Sequence, residues 1–224
     1  SLKKAKLLVD YILSNSEYLT FDIETGSTSD DETAINPFTD KTKIVCVGFE
    51  YEPDKALVLF TYHPKLPTDV CNENKKLVEK LLKSKIPKIA HNGKFDMLFI
   101  KNKWGFEVKN FAEDTMLSHY ALVSEKQGTH GLKLLAKRYA NMSNYADYIK
   151  EQDVFEEANK VFNIKSKIIG TYNAMDVIAT GRIKRKFDEL NQTKSSEALP
   201  VAKKLLPKAC LLYTSDAADE EDSV

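Results

Sequence analysis

Residues 18–27, YLTFDIETGS, carry the apolar side chains of a buried strand in Tyr18, Leu19, Phe21 and Ile23, yet Asp22 and Glu24 sit inside the run. Side chains alternate across a strand, so residues two apart project from one face. Two carboxylates at that spacing repel and are costly to desolvate. Two further stretches place acids where packing prefers apolar residues. Asp96 in HNGKFDMLFI falls near the first turn of a predicted helix that follows a buried strand. In TYNAMDVIAT, Tyr172 and Asp176 stand four apart and share a helix face that otherwise carries the apolar stripe. One inward aspartate is more often a satisfied structural residue. Acids on three separate elements are harder to explain that way, and Mg²⁺ or Mn²⁺ held by carboxylate oxygens would cancel the repulsion.

The elements that must position these acids are legible in outline. Residues 2–14 have apolar residues at helical spacing, with Leu8, Ile12 and Leu13 on one side. After the acidic strand, GSTSDDETAINPFTDK reads as a polar loop rich in turn residues. KIVCVGFEY and KALVLFTY, separated by EPD, predict a hairpin that joins the first strand in a mainly antiparallel meander. The second half turns helical. ENKKLVEKLLKSK is a predicted helix, KIAHN a short buried strand, and GKFDMLFIKNK another helix. Asp114 suits the N-cap of TMLSHYALV. GLKLLAKRYA places Leu132, Leu135, Ala136 and Tyr139 on one face, and Ile168, Tyr172, Met175, Ala179, Ile183, Phe187 and Leu190 trace one long helix. Strands first and helices later, with one strand among the helices, predict an α/β fold with a mixed sheet flanked by helices.

The chain of 224 residues is 42% hydrophobic, enough for a sizeable core. No apolar run approaches the ~20 residues of a membrane span, and no signal peptide opens the sequence. Three cysteines without metal-ligand spacing fit a reduced, cytoplasmic setting. The tail CLLYTSDAADEEDSV, residues 210–224, holds five acids and no base. Residues 210–220 resemble one frame of a translated sequencing adapter, so the tail is expected to be non-native, at the end of a truncated reading frame. Without it 28 acids face 33 bases, a net of +5, which suits a polyanionic partner.

FDIET, HNGKFD and YNAMD resemble the three motifs of the DEDD 3′–5′ exonucleases, in the subtype with tyrosine in the third motif. The segment EDTMLSHYAL…THGLKLLAKRYA is similar to the exonuclease domain of A-family, phage-like DNA polymerases, and the likeness spans roughly residues 17–190. It implies an RNase H-like fold and two divalent cations. Asp22, Glu24 and Asp176 would hold one cation, and Asp96 would help hold a second, with Asp22 bridging. Tyr172 would orient the attacking water. Thr25, Asn92 and Phe95 match positions that meet the substrate, although Phe95 also suits a core beside Met97 and Leu98. His91 suits a structural role and Lys94 a phosphate contact or solvent. Thr28 departs from the apolar wedge of many relatives. The resemblance implies a monomeric proofreading domain over residues 1–193 acting on single-stranded DNA 3′ ends. Residues 194–209 would begin the connection to a missing polymerase domain. A ribonuclease D-like RNA exonuclease, a B-family polymerase exonuclease and a catalytically silent DNA-holding module are the alternatives.

Overall fold

The computed structural model describes residues 1–28, 35–123, 129–142 and 160–193. The first predicted helix is α1 (Leu2–Asn15), which buries Val9 and Ile12. It leads into β1 (Leu19–Ser27), followed by β2 (Thr42–Glu52) and β3 (Lys55–Phe60). The expected meander is present: β1 pairs with β2, and β2 with β3, all antiparallel. Asp54 turns the hairpin at φ 62°, a left-handed conformation that aspartate tolerates better than most residues.

The chain then crosses through α2 (Thr68–Leu82) to β4 (Lys88–Ala90), which lies parallel to β1 on its other side. Lys88 is fully buried there, and its ammonium donates to the Ser84 and Ile86 carbonyls at 2.6 and 2.8 Å. These bonds tie the strand to the turn after α2. Next come α3 (Gly93–Trp104) and β5 (Phe111–Asp114), the latter parallel to β4, giving the order β3-β2-β1-β4-β5. The sequence reading contains no β5. Four residues are too few for alternation to register, and pairing with β4 makes the segment a strand. The order closes with α4 (Thr115–Val123), α5 (Leu132–Tyr139), a 3₁₀ turn (Lys160–Asn163) and α6 (Ser166–Thr193). The expected connection and acidic tail lie outside the described residues. No described helix is long and apolar enough to cross a membrane.

Alternation along β1 sorts its side chains into two environments. Leu19, Phe21 and Ile23 join the core built with Val9 and Ile12 of α1, Val78, Leu81 and Leu82 of α2, and Phe99 and Ile100 of α3. Thr20, Asp22 and Glu24 take the opposite face, and their partners across β2 are Glu50, Gly48 and Cys46. A polar column therefore runs across the sheet. Over it α6 lays Asn173, Val177, Gly181 and Arg185, spaced by one turn. The Thr20 hydroxyl donates to the Val177 carbonyl at 2.9 Å, and Arg185 donates to both Glu50 oxygens at 3.0 and 3.1 Å. Apolar contacts flank this line, through Val45, Cys46 and Ile169 on one side and Leu135, Ala179, Ile183 and Phe187 on the other.

Gly181 leaves room for the Glu50 carboxylate beneath α6, since a Cβ there would lie 1.5 Å from Glu50 Oε2. Gly181→Ala should push the buried carboxylate off Arg185 and cost about 2–4 kcal/mol, the scale of a broken buried ion pair plus overpacking. Urea denaturation of the variant against wild type measures it, and a loss within about 0.5 kcal/mol would show that α6 simply lifts away.

Candidate active site

Asp22 and Glu24 leave the α6 side of β1 just before a register shift between Glu24 and Thr25. Asp176 comes down from α6, and ligand oxygens of these three acids lie within 4.8 Å of one another. Asp96 approaches from the first turn of α3. Its Oδ1 accepts the amide of Ile23, the residue between the two β1 acids, at 2.9 Å. All four acids line one pocket of about 390 Å³, together with Tyr172, His91, Asn92, Phe95 and Lys133. Thr25 lies outside that lining, as do Lys94 and Thr28.

Backbone geometry explains how α3 reaches the pocket. Asn92 adopts the left-handed conformation at φ 58°, and the next residue has no room for a side chain, because a Cβ on Gly93 would meet Ala90 Cβ at 2.8 Å. The Asp114 carboxylate accepts the amides of Asn92 and Gly93 at 3.0 and 2.9 Å and that of Met116 at 2.9 Å. One buried acid thus caps the starts of both α3 and α4, satisfying amides that have no helical partner. The sequence disclosed only the second of these roles.

Phe95 is 40% exposed, with its ring 4.7 Å from that of the fully buried Phe99. The core holds part of the ring while the rest opens to the pocket. His91 turns Nδ1 to the Thr115 hydroxyl at 2.9 Å, and its Nε2 is buried.

The electrostatics follow from desolvation. Burial raises the Asp22 and Glu24 carboxyls well above the ordinary range, and the neighbouring acids add to it: chiefly Asp96 for Asp22, and Asp176 for Glu24. Asp96 is pushed up to about 8, again mainly by burial. Burial and the surrounding acids also raise Tyr172, whose hydroxyl hydrogen-bonds to Asp176, so it stays a neutral donor. Such a set of close, desolvated oxygens fits a hard divalent cation, which would replace mutual repulsion with attraction. Asp22, Glu24, Asp96 and Asp176 are the residues that could hold it.

Two polar residues at the site escaped the sequence reading. Asn173 is fully buried and donates to Asp22 Oδ2 at 2.8 Å and to the Asp22 carbonyl at 3.2 Å. Its carboxamide occupies the space left by Gly48, where a Cβ would meet Asn173 Oδ1 at 2.4 Å. Lys133, from α5, forms a 2.5 Å ion pair with Asp176 Oδ1. The available signals were a polar residue on the buried face of α6 and a lysine in the first turn of a helix. Neither names its partner.

A family model described as 3′–5′ exonuclease matches residues 5–191. The chain belongs to this family. The exonuclease is 36% identical over 124 residues to the DNA polymerase of Escherichia phage T5, a match covering 49% of the chain and 14% of that protein. Its fold is similar to that of Brucella melitensis NrnC with bound Mg²⁺, at TM-score 0.60 and 20% identity over 91% of this chain and 88% of that one. It is also similar to Escherichia coli RNase D, an exoribonuclease involved in structured RNA processing, at TM-score 0.63 and 13% identity over 93% and 48% of the respective chains. The mixed five-stranded sheet of the exonuclease is thus an RNase D-like and DnaQ-like fold.

Gly48→Ala should displace Asn173 and cost about 1–3 kcal/mol. In an Asn173→Ala background the same change should cost distinctly less, because the clashing group is gone. Equal losses in both backgrounds, by chemical denaturation, would show that Asn173 is not what Gly48 accommodates.

Burial holds the His91 ring down to about 4, from an ordinary 6.5. Between these values the unfolded chain binds a proton that the folded chain refuses. The resulting stability is full above pH 6.5 and is lost as pH falls through about 4. His91→Gln should flatten the stability–pH curve over that window by up to about 3 kcal/mol relative to wild type. Parallel curves for the two proteins would refute the assignment.

Proposed function

We propose that this exonuclease is the proofreading domain of an A-family DNA polymerase, removing nucleotides from single-stranded or frayed DNA 3′ ends. Residues 1–193 would form the nuclease, 194–209 the start of a connection to a polymerase domain, and 210–224 a non-native tail. The observation that carries the reading is the meeting of Asp22, Glu24, Asp96, Asp176 and Tyr172 on one pocket. The likeness to the phage T5 DNA polymerase supports DNA as the substrate.

Asp22, Glu24 and Asp176, with oxygens within 4.8 Å, would hold one cation, and Asp96 with Asp22 a second. Bound there, divalent cations would supply an activated water and stabilisation of the leaving 3′ oxygen. The chain's own residues do the rest. Tyr172 keeps its proton and directs its hydroxyl toward the acids, where it can hold the attacking water by one hydrogen bond. Phe95 offers an open ring face on which a terminal base can stack, with Asn92 beside it. A silent DNA-holding module is disfavoured, because no acid of the set is replaced and each is oriented.

A second reading, a ribonuclease D-like RNA exonuclease, is favoured by the fold likeness to Escherichia coli RNase D. Labelled single-stranded DNA and RNA, paired ends and mismatched ends separate the two. The DNA reading expects single-stranded DNA to be cut fastest and paired ends slowest, with loss of cleavage in chelator; faster cleavage of RNA selects the second reading. Asp176→Ala should weaken cation binding and remove nearly all activity. Tyr172→Phe should leave folding and cation binding intact and slow single-turnover cleavage by about 10²- to 10³-fold, as for loss of one preorganised donor. Wild-type cleavage by Tyr172→Phe would reduce Tyr172 to a packing residue.

A further inference from the structure

Lys133 stands against local preference. It lies in the first turn of α5, two residues after the N-cap Gly131, where free amides make the positive end of the helix dipole. A lysine there forgoes favourable electrostatics, so something else must hold it. Its Nζ lies 2.5 Å from Asp176 Oδ1 and 4.0 Å from the centroid of the Tyr172 ring. The Lys133 side chain is 39% exposed and that of Asp176 only 7%. The stem therefore runs in from the rim and delivers its charge to a buried carboxylate. Among the described residues that line the pocket, it is the only lysine or arginine.

We propose that Lys133 is the built-in counter-ion of the metal-free site and competes with the divalent cation for Asp176. This rests on the metal-site reading above. Acids gathered this closely in a desolvated pocket favour a positive charge among them, and before metal arrives the Lys133 ammonium supplies it at Asp176. A cation at the site would draw on the same Asp176 carboxylate, so the pair weakens metal affinity while offsetting the repulsion of the empty pocket. The Tyr172 ring face gives the displaced ammonium a second attractive surface beside the site. Lys133 is thus a positioning residue, acting on the acids rather than on the substrate.

The test uses the full chain, stripped of metal, without nucleic acid. Mn²⁺ binding is followed by electron paramagnetic resonance and stability by thermal unfolding, with and without saturating Mn²⁺. Lys133→Met keeps the stem and removes the charge. Its half-saturation should fall about three- to tenfold, as for one partly screened charge pair. Its metal-free Tm should drop by several degrees while its metal-saturated Tm stays near wild type. Lys133→Arg retains the charge and should bind Mn²⁺ no more tightly than wild type. If Lys133→Met does not fold, Lys133→Gln serves the same comparison. Unchanged or weaker Mn²⁺ binding in the neutral variant, or an equal Tm loss with and without metal, overturns the inference and leaves the metal site standing. Failure of wild type to bind Mn²⁺ overturns the metal site itself and the inference with it.

Discussion

Repulsion among desolvated carboxylates is the constraint around which this domain is arranged. Asp22 and Glu24 share a strand face, and Asp96 and Asp176 are brought against them from two helices. Nothing in apolar packing would gather them, and each raises the cost of ionising the next. The surrounding groups are disposed to make the cluster tolerable. Asn173 donates to Asp22, the Ile23 amide donates to Asp96, and Lys133 lies against Asp176.

That requirement divides the sheet into two faces with different duties. One carries Leu19, Phe21 and Ile23 into a continuous apolar core with α1, α2 and α3, and supplies most of the burial that drives folding. The other is a polar column on which α6 is seated by the Thr20 hydroxyl, the Asn173 amide and the Glu50–Arg185 pair. Polar seating contributes less net stability than apolar packing but fixes register, because hydrogen bonds are directional. Asp176 lies one turn from both Asn173 and Thr180 on α6, so that register decides where the acid falls. Asp114 does the same for Asp96 by anchoring the start of α3.

The same geometry bears on substrate choice. Carboxylates and the cations they bind treat a phosphodiester alike whichever sugar flanks it. DNA and RNA differ at the 2′-hydroxyl, so discrimination belongs to side chains that reach sugar and base rather than to the acid cluster. Asn92 and Phe95 line the same pocket as the four acids.

Local pattern alone determined a good deal of this protein. The two-residue spacing of Asp22 and Glu24 put them on one face, because strand side chains alternate. The four-residue spacing of Tyr172 and Asp176 did the same on a helix. The β2–β3 hairpin and the long C-terminal helix were legible because their periods repeat over many residues. Only the tertiary structure decided the rest. β5 exists through its pairing with β4, a partner more than twenty residues away in sequence. Gly48 and Asn173 fit one another across 125 positions, and Lys133 finds Asp176 across 43. A lysine in a first turn and a glycine in a strand look like local defects until the chain folds. Their partners are chosen by proximity in space, which no local spacing encodes.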